Sequence, residues 1–251
     1  MKTNTVFITI LLVALSLLVG NGCTGNQETS AVTTQPGVRT VGKQAAGQAG
    51  GGAPTVTTAP GNIKISGSQS GSVKVPAEQG GYLIKYRHKG FGLKLELNSP
   101  MGPMNMVPGG QYAGSDGWAV FEDLTSFREA GEQQYQITAT EPFEIQFVKL
   151  PGDDAPDAPP KTYSGNGLKV VGPFSLKAGS ASFKVNCPDL KQAGFVAELY
   201  DATTGQNKGM IALGTSASVA ETKKLQVPSA GDYLVKVNAN GRAEWTIEVS
   251  Q

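Results

Sequence analysis

The chain has 251 residues, enough for one or two domains. Only 16% of them are charged, against about 25% in an ordinary globular chain. Glycine (33 residues) and proline (15) are abundant and the formal net charge is +1. That composition disfavours a long helical bundle. It also disfavours a nucleic-acid partner, because no basic excess exists to displace counterions from phosphates.

Lys2 gives a positive start, and residues 6–19 form an apolar run broken only by Thr9 and Ser16. A spanning helix needs about 20 apolar residues, so this shorter run reads as the core of a signal peptide covering 1–22. The run ends in Gly20-Asn21-Gly22-Cys23, which resembles the lipobox of prokaryotic lipoproteins. In that family a small residue precedes a cysteine that is lipidated and becomes the new N-terminus. Gly22 and Cys23 match, while Gly20 stands where the family prefers leucine. Gly20-Asn21-Gly22 also fits the small-x-small site of plain secretory cleavage. The resemblance implies lipidation of Cys23, attachment to a membrane through that lipid, and an extracytoplasmic place at the cell surface or in the periplasm. Residues 23–60 follow as the lipidation site and a low-complexity tether: 24–60 hold no aromatic residue and are rich in Gly, Thr, Gln and Ala. Such a segment buries too little apolar surface to offset the entropy of ordering it.

Residues 151–160, Pro-Gly-Asp-Asp-Ala-Pro-Asp-Ala-Pro-Pro, read as a semi-extended linker. They lack the Asp-x-Asp-x-Asp-Gly spacing of a calcium loop. The linker separates two segments of nearly equal length, 61–150 (90 residues) and 161–251 (91 residues), and the two resemble each other. Ala130-Gly131 matches Ala230-Gly231, residues 135–139 match 235–239, and 143–147 match 245–249. Near the starts, 63–67 resembles 168–172. Both halves alternate apolar and polar residues, the signature of half-buried strands. In the first half strands are predicted at 63–65, 73–75, 82–86, 93–97, 119–121, 135–139 and 143–150. In the second they are predicted around Phe183 and Val185, at 195–200, 225–227 and 233–237, and at 245–249 after a hairpin turn at Asn240-Gly241. One helical turn is expected near 126–130. The fold class that follows is all-β: two tandem β-sandwich or jelly-roll domains, after a signal peptide and a disordered tether. The closing segment, Ala230-Gly231-Asp232-Tyr233-Leu234-Val235-Lys236-Val237 with Trp245-Thr246-Ile247-Glu248-Val249, resembles the end of the pre-peptidase C-terminal type of exported module. Modules of that type are accessory and carry no catalysis, so a binding or spacing role is implied.

Chemistry-bearing motifs are sparse. There is no Gly-x-Ser-x-Gly elbow, no phosphate loop and no Cys/His cluster, so neither an enzyme nor a resident cofactor is expected. His88, the only histidine, sits at a strand end entering a turn and reads as solvated. Cys187 reads as a buried small hydrophobe. Met101, Met104 and Met106 lie within six residues, a pattern that resembles the methionine loops of exported copper-handling β-sandwich proteins. Three thioethers can converge on Cu(I), with His88 completing the site. The alternative is that the methionines plug the sandwich. The 99–118 segment is long and glycine-rich in the first half only, against a shorter 201–209 in the second. Such a divergent loop is where binding can be grafted. Its aromatics, Tyr112 and Trp118, are candidate contacts for a sugar ring, although Trp118 heads the strand 119–121 and also reads as a core residue. The expected function is a lipid-anchored, non-enzymatic binding or adhesion protein of the cell envelope, with a polysaccharide or a protein as ligand. A copper-handling protein and a structural spacer are the alternatives.

Overall fold

Period-two alternation turns nearly every described segment into a strand. The structure is a computed structural model, and it describes residues 33–35, 38–41, 52–90, 93–99, 102–105, 117–190, 194–215, 217–239 and 243–251; no helix occurs among them. The signal-peptide segment, Cys23, Met101, Met106 and Tyr112 lie outside the described residues.

Three strands come first: β1 (Thr33–Gln35), β2 (Val38–Val41) and β3 (Thr55–Ala59). The first half then supplies β4 (Asn62–Gly67), β5 (Gly71–Ala77), β6 (Gly80–Lys89), β7 (Lys94–Ser99), β8 (Gly102–Asn105), β9 (Trp118–Phe127), β10 (Gly131–Thr138) and β11 (Phe143–Lys149). The second half supplies β12 (Lys161–Asn166), β13 (Leu168–Leu176), β14 (Gly179–Cys187), β15 (Phe195–Asp201), β16 (Asn207–Gly214), β17 (Val219–Val227), β18 (Gly231–Ala239) and β19 (Glu244–Ser250).

Each half is the same antiparallel sandwich. In the first, sheet 1A runs β4-β11-β6-β9 and sheet 1B runs β5-β10-β7-β8. In the second, sheet 2A runs β12-β19-β14-β17 and sheet 2B runs β13-β18-β15-β16. Every strand of the first half has its counterpart eight strands later, and the order is that of a jelly roll. Inward residues of 1A and 1B, among them Ile65, Tyr86, Phe143, Phe147, Leu95 and Tyr135, close one core. Those of 2A and 2B, among them Phe183, Trp245, Ile247, Phe174, Phe195 and Tyr233, close another. Full burial of one such ring contributes about 3 kcal/mol.

The strand register corrects several expectations. The segment read as a tether contributes β1, β2 and β3, which extend sheet 1A beyond β4; β-branched residues, which favour extended backbone, make up most of the three. The repeat match of 63–67 with 168–172 does not hold. β11 pairs Phe143 with Gly67, and β19 pairs Trp245 with Gly165, so β4 corresponds to β12. The helical turn expected near 126–130 is absent. β9 runs to Phe127, whose ring is buried, and continued core alternation keeps the chain extended. The longer loop of the first half lies between β8 and β9, and its counterpart is the short link from β16 to β17 rather than 201–209, which belongs to the turn from β15 to β16.

The two halves are in contact. The outward faces of 1A and 2B share a small apolar cluster of Leu83, Leu124, Leu150, Val170, Tyr200, Ala202 and Leu234. Leu168, at the start of β13, belongs to the first core. Lys236 of β18 forms an ion pair with Asp123 of β9. At the other end the linker is held rather than free: the Asp157 amide donates to Pro173 O at 2.8 Å, and the Ser175 amide donates to Asp157 O at 2.9 Å.

Candidate functional site

β6 and β9 lie side by side in 1A, and β9 is that sheet's edge strand. Strand parity decides which side chains face water. On β6, Ile84, Tyr86 and His88 are buried while Lys85, Arg87 and Lys89 are exposed. On β9, Ala119 and Phe121 are buried, Trp118 is half-buried, and Val120 is 69% exposed. Trp118 pairs with Lys89, and Val120 with Arg87. The Arg87 guanidinium stands 4.2 Å from the Trp118 ring centroid and the Lys89 ammonium 5.3 Å from it. Trp118 is therefore not the core residue that its place at a strand head suggested. The buried positions of that strand are Ala119, Phe121 and Phe127.

The same parity corrects His88. β6 continues through Lys89 as a strand of ten residues, so His88 faces inward and is 3% exposed. Its ring packs edge-on against Phe121 at 5.9 Å, and Nδ1 lies 3.3 Å from the Lys89 carbonyl. Of the methionines in the candidate copper set, only Met104 falls among the described residues, in β8 opposite Leu97. That strand is an edge of 1B, whereas His88 belongs to 1A. Cys187 is fully buried, and burial pushes its thiol pKa up. In the register it corresponds to His88: β9 pairs Ala119 with His88 and β17 pairs Val219 with Cys187.

The face of 1A around Trp118 is built in cross-strand rows. One row reads Ser66, Glu144, Arg87, Val120; the next reads Lys64, Gln146, Lys85, Glu122. Glu144 is joined to Lys64 at 3.2 Å. In sheet 2A the corresponding rows read Ser164, Thr246, Asn186, Ala220 and Thr162, Glu248, Lys184, Thr222. Over these rows lie two shallow open depressions of 440 and 530 Å³ that share Asn186 and Thr246. The two faces are thus topological equivalents with different chemistry, cationic and aromatic in the first half, neutral and hydroxyl-rich in the second. The sequence reading picked out Trp118 but missed Lys85, Arg87 and Lys89. Their signal was their spacing, since they alternate with Tyr86 and His88 along one strand.

The strand order defines a tandem jelly-roll protein, one all-β sandwich repeated in series. No protein-family model matches the sequence, and no curated protein matches it. Among solved structures it is similar to the N-terminal CBM22-1–CBM22-2 tandem domain of Xyn10C from Paenibacillus barcinonensis, with 11% identity, 87% of this chain and 92% of that one covered, and a TM-score of 0.24. It is also similar to a conserved protein of unknown function from Pseudomonas aeruginosa PAO1 (12% identity, 85% and 89% covered, TM-score 0.22). A chain of Sulfolobus turreted icosahedral virus matches at 14% identity, with 84% and 60% covered and a TM-score of 0.30. With TM-scores this low, none of these likenesses carries functional weight.

Proposed function

We propose that the protein is a non-enzymatic binding module of the cell envelope, anchored through a lipid on Cys23, that engages a polysaccharide on the outer face of sheet 1A. The observation that supports this reading is Trp118, a large ring on the solvent side of an edge strand rather than in the core. A flat aromatic face of this kind can stack on a sugar ring. Its contacts with Arg87 and Lys89 are weak ones, since a cation over an aromatic ring at an exposed site contributes about 0.5–1 kcal/mol. The non-enzymatic part rests on where the reactive groups lie: the one histidine and Cys187 both pack into cores. The envelope location rests on the leader and Gly22-Cys23.

The test is co-sedimentation of the full chain with protease-treated cell-envelope polysaccharide. Trp118→Ala is expected to lose at least tenfold in binding while its thermal midpoint stays within a degree or two, because the ring leaves no core cavity. A folded Trp118→Ala that binds normally sinks the assignment. Anchoring is checked separately: Cys23→Ser is expected to move the protein from the membrane fraction to the soluble one.

A further inference from the structure

We propose that the Trp118 face takes a polyanionic glycan, one whose sugars carry carboxylate or phosphate groups, in preference to a neutral one. This deepens the binding reading above and rests on it. Lys85, Arg87 and Lys89 form a column of exposed cations on alternate positions of β6. Alternate residues of a strand share a face about 6.7 Å apart, so the column presents positive charge along about 13 Å beside the Trp118 ring. Of the carboxylates nearest to it in the register, Glu144, opposite Arg87, is paired with Lys64 and Asp123 with Lys236. Glu122, opposite Lys85, accepts the neutral backbone amide of Val170 at 3.4 Å and keeps its charge, so the unopposed end of the column is Arg87 and Lys89. Among the described residues, no carboxylate forms an ion pair with any of the three column cations.

The duplicated fold supplies an internal control. At the positions of Arg87 and Lys89, the second half carries Asn186 and Pro188, while Lys184 keeps the place of Lys85 opposite Glu248. The same scaffold therefore closes with one cation of the three, and that one faces a carboxylate. Three like charges on one strand face repel one another, and the contacts of Arg87 and Lys89 with the ring return only about 0.5–1 kcal/mol each. Their positive field has a use when it meets negative charge spaced along an extended partner. Two features favour a glycan over a bilayer as that partner. The ring lies among the cations instead of projecting from an apolar tip, and the face is a sheet edge onto which an extended polymer can lie.

The experiment is affinity electrophoresis of the full chain in gels containing one of four polymers: polygalacturonate, its methyl ester, phosphorylated dextran or dextran. Each pair shares a backbone and differs in charge. The expected result is retardation by a charged polymer at least tenfold stronger than by its neutral partner, and weakening as salt rises from about 50 to 300 mM, where the screening length shortens. The triple variant Lys85→Gln/Arg87→Gln/Lys89→Gln is expected to lose that preference while unfolding at the wild-type temperature, its side chains being exposed. Equal retardation by charged and neutral polymers overturns the charge preference and leaves the glycan reading standing. Retardation by none of the four overturns the proposal. If the chain then floats with vesicles containing phosphatidylglycerol, the column is a membrane contact and the glycan reading falls with it. Charged-polymer binding that survives Trp118→Ala but not the triple variant keeps the anion preference and removes the ring from the site.

Discussion

The duplication is legible at single positions once the register is known. Gly67 and Gly165 occupy the same place in the two sandwiches, each opposite a buried aromatic of the neighbouring strand. A Cβ on Gly165 would lie 2.6 Å from Cζ2 of Trp245, and one on Gly67 would lie 3.0 Å from the Pro54 backbone and 3.2 Å from the Phe143 ring. The Trp245 ring is fixed by its own hydrogen bond to Gly167 O, at 3.2 Å, so it cannot retreat cheaply. Gly165→Ala is expected to destabilise the second half by about 1–3 kcal/mol, the usual cost of overpacking, with a red-shifted tryptophan emission. Urea titration followed by fluorescence reads both. Cys187 gives a second test at this scale. Burial hides the thiol and holds it protonated, and a thiol reacts as its thiolate. Iodoacetamide is expected to leave Cys187 unlabelled in the native protein at neutral pH and to label it in urea. Native labelling would mean that β14 opens far more readily than its core position implies.

At the scale of elements, the linker behaves as a strap. Besides its backbone bonds to β13, Asp157 accepts hydrogen bonds from Lys161 Nζ and the Tyr163 hydroxyl, both at 3.0 Å. The bonds from Lys161 and Tyr163 hold its carboxyl below the usual value of 3.8. A depressed carboxylate pKa stabilises the fold above the unfolded-state pKa, and that contribution is lost as pH falls through the folded-state pKa. Asp157→Asn is therefore expected to lower the thermal midpoint by a constant amount from neutral pH down to about 4. The gap to wild type should then shrink at lower pH. A gap that stays constant down to pH 2 would show that the charge plays no part. None of this strap was readable from composition, which gave a proline-rich stretch and nothing about its docking. Elements with clean alternation, such as β6, β10, β11 and β19, were legible because one face of each is buried in a core. β12 has Tyr163 as its one large apolar residue, so parity had nothing to act on. β16 was missed because its register shifts against β15 put Ile211 and Ala212 together in the interior, which breaks the period. The orientation of Trp118 was missed for the opposite reason. The alternation was present, but assigning its phase required knowing that the strand begins one residue before Ala119.

At the scale of the whole molecule, the contact between sheets 1A and 2B determines how the two equivalent faces are displayed. Leu83 and Leu124 occupy the 1A face at one end of β6 and β9, packed with Val170 and Leu234. Lys85, Arg87, Lys89 and Trp118 occupy the end beyond them. Part of the 1A face is thus spent on the contact and part is left for a ligand, whereas the equivalent face of 2A carries no residue of that cluster. The contact is tight at its rim. A turn at residues 201–206 is held by the Asp201 carboxylate, which accepts the amides of Thr203 and Thr204 at 3.0 and 2.9 Å, and it brings Gly205 against Gly81. A Cβ on Gly81 would meet the Gly205 backbone at 2.8 Å, and backbone cannot yield as a side-chain tip can. The Tyr200 hydroxyl, pushed up to about 12 by burial and then by Glu198, bonds Glu198 at 3.0 Å and stays neutral in this contact at physiological pH. The apolar cluster is small, but it adds to the Lys236–Asp123 pair and to Leu168 seated in the first core, so the halves should unfold together. Calorimetry of the wild type is expected to show one transition whose calorimetric and van't Hoff enthalpies agree. Gly81→Val should split it into two, because the added side chain holds the sheets apart while leaving each core closed. Binding to the Trp118 face should survive that split, since the cation column and the ring belong to one sheet. A single transition that Gly81→Val leaves intact would mean that the halves are joined by their cores rather than by this contact. Loss of binding on separation would mean that sheet 2B contributes to the site.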